Sequence, residues 1–386
     1  MSDAIELTSI EFVEIPATVR TTWVMAQLHE VDGGSTFVEL VGDVSQPAAA
    51  VCKEMAAATA ALAGRPIDDE AAVPQMLGLT DTQLAGDFTR ATAMSGLRSA
   101  VTQLQAARAG QSLTEALGGS RHECVQLYAN INRSLLDDRS PVAHAAAAAA
   151  TVERWGFEMI KCAPFDEVRA TSGGQSTDDI VESAAPGIAR IAAVCEAVGG
   201  EIRVLVDCHS RFDEASAMII CDKLAELSVA WFEEPVNPVT EPEALARVAA
   251  AIPLPVAGGE SLYGQQRFET LLSSGAVETI MPDVKHCGGV AQATRAGHAA
   301  AAAGRTISLH SPSGPLSLLA SAHATAAITS AALALEHAVD EVDWRAELLA
   351  PAEQIRQGRL WIPGGPGLGA TLDEATVRRR GRRWKP

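Results

Sequence analysis

Six polar residues in the second half of this chain recur at a nearly constant interval of 23 to 27 residues. Each stands at the end of a short apolar run, and one strand with its returning helix occupies roughly 25–30 residues in a βα repeat. The carboxyl ends of such strands meet at one mouth of a (β/α) barrel, so the six side chains would converge there. They are Asp207, Glu233, Glu260, Asp283, His310 and Glu336.

Length and composition agree with an α/β protein. A chain of 386 residues allows two domains or one large barrel with additions. Hydrophobic residues make up 47% and aromatic residues only 4%, so small aliphatic side chains fill the core, as buried parallel strands require.

Charge and cysteine usage limit the partners and the compartment. The net charge of −18 argues against nucleic acid, and the basic tail from Arg378 to Arg383 is interpreted as a solvated end or a subunit contact. The longest apolar stretch, Ala145 to Ala150, is too short to span a membrane. Seven cysteines without C-x-x-C spacing fit a reducing compartment, so we predict a cytoplasmic protein without a signal peptide.

The chain divides into three predicted parts. Residues 1–124 contain antiparallel strands followed by helices, including helical spacing from Asp81 to Ala109, which is typical of an α+β domain. Residues 125–349 alternate between strand and helix patterns. Residues 350–386 lose the repeat, are rich in turns, and are expected to pack back on the first domain.

Three carboxylates on adjacent predicted strands indicate a metal site. Asp207, Glu233 and Glu260 would repel one another without a cation, and oxygen ligands without a thiol favour a hard ion, above all Mg²⁺. Glu234 directly follows Glu233 and would face the other way, so we assign it a supporting hydrogen-bonding role.

The next strands carry groups suited to proton transfer. A carboxylate beside an imidazole raises its basicity, which makes His310, next to Asp283, a candidate general base. His209 faces the same way as Asp207 and is a candidate general acid. Lys161 ends the preceding strand, and Glu336 could bind substrate. Three further residues follow positions already assigned and are interpreted as structural: Lys285, His286 and His337.

Taken together, these positions resemble the enolase superfamily, and within it the mandelate racemase-like subgroup. The resemblance implies a (β/α)₇β modified TIM barrel under an N-terminal α+β capping domain that the C-terminal segment completes. It also implies Mg²⁺-assisted removal of the proton α to a carboxylate, with Asp207, Glu233 and Glu260 as metal ligands, Asp283–His310 as the base dyad and Glu336 in the active site. The matching segments are MIKCAPFD (159–166), VDCHSRF (206–212), WFEEP (231–235), GGES (258–261), MPDVKHCGGV (281–290), LHSPSGP (309–315), LALE (333–336) and PGLG (366–369).

One departure from this resemblance bears on the reaction. Many relatives carry Lys-x-Lys at the second barrel strand, where the second lysine is an opposing base, but here Ala163 takes its place after Lys161. The retained Lys161 resembles the lysine that contacts the substrate carboxylate. The Asp207-Cys208-His209 pattern resembles acid-sugar dehydratases, in which this histidine assists departure of the β-hydroxyl. We therefore expect dehydration of an aldonic or uronic type of sugar acid to a 2-keto-3-deoxy acid.

Other functions stay open at this point. An epimerase, racemase or cycloisomerase could use the same enediolate with Lys161 as a second acid or base. A non-catalytic relative could bind a sugar acid without turnover, and a different Mg²⁺ enzyme, such as an aldolase or hydrolase, is a third reading. By analogy with relatives we expect a homo-oligomer.

Substrate recognition is the least defined prediction. Loops of the first domain, around Val19–Thr22 and after Asp43, are expected to close over the mouth. The candidate contacts to a small carboxylate substrate are Asn130, Asn132, Arg133 and Arg211.

Overall fold

The computed structural model describes residues 4–42, 47–120, 122–135, 137–169, 176–328 and 331–386. Within these ranges, no helix combines the length and the apolar character needed to cross a membrane. All seven cysteines lie in the described ranges and are free thiols.

The N-terminal region begins with an antiparallel sheet of three consecutive strands, β1 (Leu7–Pro16), β2 (Thr22–Glu30) and β3 (Ser35–Leu40). Gly33 turns the chain between the last two strands at a φ of 85°, which glycine adopts without steric cost. Apolar side chains of the sheet form one core with the first four of the helices that follow. These helices are α1 (Ala48–Leu62), α2 (Ala72–Met76), α3 (Asp81–Ala85), α4 (Phe88–Arg108) and α5 (Leu113–Ala116).

The stretch from Asp81 to Ala109, which the spacing predicts to be helical, forms the two helices α3 and α4 rather than one. Gly86 ends α3, and the Asp87 carboxylate accepts a hydrogen bond from the backbone N–H of Arg90 at 3.0 Å. This bond satisfies a donor that the start of a helix leaves free. Apolar positions keep their helical spacing across the break, so periodicity does not detect it.

The central region is a closed barrel in which, among the described residues, eight parallel strands alternate with seven helices. The last strand pairs with the first and so completes the ring. The (β/α)₇β barrel predicted from the sequence is therefore confirmed. The strands are β4 (Cys124–Asn130), β5 (Met159–Cys162), β6 (Arg203–Asp207), β7 (Trp231–Glu233), β8 (Val256–Gly258), β9 (Thr279–Ile280), β10 (Thr306–Ile307) and β11 (Leu335–Ala338). The helices are α6 (Pro141–Trp155), α7 (Thr177–Val198), α8 (Glu214–Glu226), α9 (Pro242–Ala251), α10 (Gln265–Ser273), α11 (Val290–Ala302) and α12 (Pro315–Ala327).

The C-terminal segment connects the barrel to the N-terminal sheet. β14 pairs antiparallel with β4 at the edge of the barrel, whereas β16 pairs antiparallel with β1. The end of the chain therefore adds a strand to the capping sheet. The elements of this segment are a 3₁₀ helix (Arg345–Leu348), β12 (Leu349–Ala350), β13 (Gln354–Arg356), β14 (Arg359–Trp361), β15 (Thr371–Leu372), α13 (Glu374–Arg380) and β16 (Arg382–Trp384).

The basic tail has partners within its own chain. Arg382 lies 2.6 Å from the Glu14 carboxylate of β1, and the Arg380 guanidinium lies 4.2 Å from the centre of the Trp344 ring. Such exposed contacts contribute little energy individually, but together they fix the tail on acidic and aromatic groups of the molecule.

Candidate active site

The polar groups of the barrel mouth lie directly above an apolar layer that fills the barrel. Side chains of a strand alternate between its two faces, so residues two apart point the same way. Six of the polar residues each follow a residue of the apolar layer by two positions. The pairs are Tyr128 and Asn130, Met159 and Lys161, Leu205 and Asp207, Trp231 and Glu233, Met281 and Asp283, and Ala334 and Glu336.

Lys161 lies at the centre of the acidic groups and is fully buried. Its Nζ atom is 2.5 Å from Glu233 Oε1, 3.0 Å from Glu336 Oε1 and 3.5 Å from Asp207 Oδ2. Burial by itself would lower the pKa of Lys161, but the carboxylates of Glu233 and Glu336 outweigh it and raise the pKa well above its usual value. The lysine is therefore a charged ammonium shared by three carboxylates.

His209 is held against Asp207 beside this cluster. Its Nε2 atom lies 3.0 Å from Asp207 Oδ2, and its backbone N–H donates to Asp207 Oδ1 at 2.9 Å. The residue has a φ of 48°, in the left-handed region, and half of its side chain is exposed. The Asp207 carboxylate is the main reason why the pKa of His209 is raised. An exposed, proton-holding imidazole can donate a proton to a bound molecule.

Glu234 supports the backbone that carries Glu260. The Glu234 carboxylate accepts hydrogen bonds from the N–H groups of Gly259 at 2.8 Å and Glu260 at 3.3 Å. A Cβ atom on Gly258 would lie 2.9 Å from the Glu234 side chain, so glycine is needed there for this close approach. Burial, aided by the Glu260 charge, raises the pKa of Glu234 to about 7.

The three predicted metal ligands have the chemistry of a hard-cation site. Among the described residues, however, no group of three or more His, Cys, Asp and Glu side chains is arranged so that it could hold a metal ion as it stands. Lys161 contacts Asp207 and Glu233, and His310 Nε2 lies 3.2 Å from Glu260 Oε2, so side-chain cations engage these carboxylates. Glu233 Oε2 is buried and has no hydrogen-bond partner within the described ranges. A buried carboxylate oxygen without a partner is costly, so the donor set fits a cation that would take this oxygen.

His310 and Asp283 form a directly bonded pair on the opposite part of the mouth. Their Nδ1 and Oδ2 atoms are 2.9 Å apart, so Asp283 accepts the Nδ1 proton, while Nε2 faces Glu260 Oε2 at 3.2 Å. Burial would lower the pKa of His310, but Glu260, Glu336 and Asp283 together raise it to about 9. The imidazole is therefore mostly protonated at neutral pH and becomes a base when the negative charge around it is reduced.

Glu336 connects the two parts of the mouth. It is fully buried, and its Oε1 atom accepts hydrogen bonds from Asn130 at 2.8 Å and from Lys161. Its Oε2 atom accepts from the backbone N–H of Ser311 at 3.0 Å and lies 3.9 Å from His310 Nε2. Although burial opposes ionisation, the charges of Lys161 and His310 lower the pKa of Glu336.

The predicted substrate contacts occupy different surroundings. Asn132 accepts a hydrogen bond from the N–H of Ala163 at 2.8 Å, and the Arg211 guanidinium donates to the backbone carbonyl of Val168. These bonds join loops and give no support to a role in binding substrate. The region after Asp43 begins with residues that lie outside the described ranges.

Arg133 joins the first domain to the barrel. It donates to Thr21 Oγ1 at 2.9 Å, which connects it to the Val19–Thr22 loop that was predicted to close over the mouth. Val19 in that loop is almost fully exposed. Arg133 and the loop therefore stay candidates for substrate recognition.

One side chain at the site was interpreted from the sequence as structural and yet touches the dyad. The Lys285 Nζ atom lies 2.8 Å from Asp283 Oδ2. No sequence pattern distinguishes this lysine from a surface residue of the following turn. His286, interpreted in the same way, uses both ring nitrogens, towards Thr92 Oγ1 at 3.1 Å and the Ser261 carbonyl at 3.0 Å.

Comparison with known proteins identifies the family. A family model described as Enolase C-terminal domain-like matches residues 143–376, which is more than half of the chain. The chain belongs to the enolase superfamily, as its motifs predicted. A structure described as a mandelate racemase/muconate lactonizing enzyme from Labrenzia alexandrii superposes with a TM-score of 0.82 at 26% identity, covering 97% of this chain and 99% of that chain.

Two curated relatives are more similar in sequence. A D-xylonate dehydratase of Haloferax volcanii is 30% identical over 286 residues, which cover 73% of this chain and 68% of the relative. A D-galactarolactone cycloisomerase of Agrobacterium fabrum is 30% identical over 290 residues, covering 73% and 72%. The chain is an enzyme, and its dehydratase relatives assign it to the lyases.

Proposed function

We propose that this enzyme is a Mg²⁺-dependent dehydratase of sugar acids of the aldonate or uronate type. The observation that supports the proposal is that the two sides of the mouth hold different proton-transfer groups. One side holds the Asp283–His310 pair, and the other holds His209 bonded to Asp207. β6 and β10 are the third and seventh strands of an eight-stranded ring, so the two histidines approach from opposite sides.

The dyad is proposed to remove the proton α to the substrate carboxylate. His310 Nε2 accepts this proton while Asp283 holds Nδ1–H and stabilises the imidazolium that forms. The electron pair left on the α-carbon then expels the β-hydroxyl. An enol results, which becomes a 2-keto-3-deoxy acid when the former β-carbon takes up a proton.

His209 is proposed to supply the proton that lets the β-hydroxyl leave as water. The Asp207 carboxylate raises the pKa of His209 and so favours the protonated ring, and the exposed half of its side chain can reach a bound molecule. A hydroxide ion is a poor leaving group, so an acid at this position lowers the barrier of the elimination step.

Asp207, Glu233 and Glu260 are the proposed holders of Mg²⁺, and Lys161 and Glu336 lie beside them. When bound there, the metal supplies positive charge that stabilises the negative charge developing on the substrate carboxylate. Lys161 adds a second positive charge for the same carboxylate.

A cycloisomerase is the second candidate, because one of the similar relatives is a D-galactarolactone cycloisomerase. That reaction also begins with removal of an α-proton, but its product keeps the mass of the substrate. Ala163 argues against racemisation, since no lysine stands at the second position of the Lys161 triplet.

Incubation of a sugar-acid library with the enzyme and Mg²⁺ in D₂O, followed by mass spectrometry, tests the proposal. The expected product has lost one water and carries one deuterium where the enol was protonated. A product with the composition of the substrate, in which one proton has been replaced by deuterium, would replace the dehydratase with an isomerase. Binding of sugar acids without any product would point to the non-catalytic alternative.

A further inference from the structure

Lys285 is a buried lysine that contacts the carboxylate of the Asp283–His310 pair. Its Nζ atom contacts both oxygens of Asp283, at 3.0 Å and 2.8 Å, and its backbone N–H donates to Asp283 Oδ1 at 2.8 Å. Asp283 Oδ2 therefore accepts from Lys285 and from His310 Nδ1 at the same time. The orientation of the carboxylate that holds the imidazole depends on where Lys285 lies.

Two serines that follow His310, one in the loop and one at the start of α12, hold the ammonium group of Lys285. Lys285 Nζ lies 2.5 Å from Ser313 Oγ and 3.4 Å from Ser317 Oγ, and all three side chains are buried. Ser313 precedes α12 and Ser317 lies in its first turn. The lysine thus connects the dyad carboxylate to the start of the helix that follows the base.

A carboxylate from the capping domain holds the same helix start. Glu39 of β3 accepts hydrogen bonds from the backbone N–H groups of Gly314 at 2.7 Å and Ser317 at 3.0 Å. These are donors that a helix start leaves free, and a negative charge is favourable there. A Cβ atom on Gly314 would lie 2.7 Å from Glu39 Oε2, so only glycine permits this approach. Burial raises the pKa of Glu39, and the strongest opposing influence is the charge of Lys285.

We propose that Lys285 is a positioning residue for the Asp283–His310 pair, and that Ser313, Ser317 and Glu39 make this positioning depend on contact between the capping domain and the barrel. This inference rests on the proposed role of the dyad in proton removal. The lysine does not touch the reacting atoms. It fixes the carboxylate that fixes the base, so its loss should affect turnover rather than substrate or metal binding.

Steady-state kinetics of Lys285→Met test this role. Loss of outer partners of functional ligands costs about 10–100-fold in comparable sites, so we expect kcat to fall by about that factor with KM and Mg²⁺ affinity unchanged. Lys285→Arg should recover part of the rate, because its guanidinium can still donate to Asp283. Glu39→Gln should lower kcat in the same direction but less, because the amide keeps one acceptor for the two backbone donors. The matched control is Lys223→Met, at an exposed lysine of α8.

A structural role alone predicts a different result. In that case Lys285→Met would lower the melting temperature but leave kcat per folded molecule at the wild-type value, and the proposal would be overturned. A parallel rise of KM would also contradict it, because positioning of the base should leave substrate affinity intact.

A spectroscopic measurement keeps this inference separate from the proposed function. In protein with ¹⁵N-labelled histidine, the Nδ1–H proton of His310 should resonate downfield because it is bonded to a carboxylate, and His310→Asn assigns it. We expect this signal to be lost or shifted in Lys285→Met and retained in Lys223→Met. An enzyme inactive on every sugar acid would end the proposed function, while this signal would still decide the role of Lys285. An identical signal in both variants would overturn the inference.

Discussion

Two buried lysines lie at the same mouth, and their surroundings differ in kind. Lys161 contacts carboxylates from three strands, which are Asp207, Glu233 and Glu336. Lys285 contacts one carboxylate, that of Asp283, and its other partners are serine hydroxyls. The first cluster holds more negative charge than its lysine neutralises, whereas Lys285 and Asp283 form a pair of equal and opposite charges.

The two surroundings suit two different tasks at one barrel mouth, which are metal binding and the orientation of a base. An excess of buried negative charge is unfavourable until a further cation arrives, which suits a metal site. A balanced pair needs no ligand and keeps a fixed geometry, which suits the orientation of a base. Removing one group from either cluster tests this division.

His310→Asn should remove the base and leave the metal cluster intact. General base catalysis contributes about 10²–10⁴-fold, so we expect turnover and α-proton exchange in D₂O to fall by that factor. Mg²⁺ affinity, measured by calorimetric titration, should not fall, because the three proposed ligands remain and Glu260 loses a competing cation. His298→Asn, at an exposed position of α11, is the control. Retained proton exchange would remove His310 as the base and with it the division of the mouth.

The division was only partly visible in the sequence. The constant spacing predicts the barrel and places Asp207, Glu233, Asp283 and His310 at one mouth, because strand and helix lengths determine where strand ends fall. Spacing does not reveal which cation neutralises which carboxylate. Contacts such as Glu39 with the start of α12 join residues 275 or more positions apart, and no local pattern encodes them.

Side-chain direction beyond the strand ends is a second property that spacing does not predict. Asn132 and Arg211 follow strands as the site residues do, yet their side chains bond to neighbouring loops. Irregular loops have no fixed period. The direction of a side chain beyond a strand end therefore cannot be predicted from its position in the sequence. The same limitation explains why Lys285, in the turn after Asp283, was interpreted as structural.

Lys161→Met tests the excess of charge in the first cluster. Removal of one partner of a buried ion pair typically costs about 3–5 kcal/mol, because the remaining charge is left uncompensated. We expect the metal-free protein to lose about that much free energy of unfolding in urea titrations. Mg²⁺ should stabilise the variant more than the wild type, since it replaces the missing charge. Equal stabilisation of both proteins by Mg²⁺ would show that Lys161 and the metal do not share these carboxylates. Lys223→Met, at an exposed lysine, is the matched control.

His323 contrasts with His310, because among the described residues it is a buried histidine with no carboxylate hydrogen-bonded to its ring. Its ring contacts Thr114 Oγ1 at 2.8 Å and the Leu368 carbonyl at 3.2 Å, and burial lowers its pKa to about 4, whereas the pKa of His310 is raised. Between the unfolded value near 6.5 and the folded value, the unfolded chain binds the proton more strongly. Stability should therefore be complete above pH 6.5 and fall as the pH drops towards about 4, by about 3 kcal/mol from this group.

Urea unfolding of His323→Gln and wild type across this range measures the effect. The variant should show a shallower loss of stability with falling pH, because glutamine does not titrate. His122→Gln, at an exposed histidine, should keep the wild-type slope. Identical slopes for all three proteins would mean that His323 does not remain neutral in the folded state.

Glu260→Gln should have the smallest effect of the series, and it removes the charge of one proposed metal ligand without removing the Asp283–His310 bond. Loss even of an outer partner of a metal ligand costs about 10–100-fold in metal affinity, so loss of a ligand charge should cost at least that in a calorimetric Mg²⁺ titration. Glu260 also lies 3.2 Å from His310 Nε2, but the Asp283–His310 bond does not involve it. The downfield His310 signal should therefore persist in the variant, and Glu243→Gln, on the exposed face of α9, should change neither property. Unchanged Mg²⁺ affinity would remove Glu260 from the ligand set and leave it as a partner of the base, which would place it in the second cluster instead of the first.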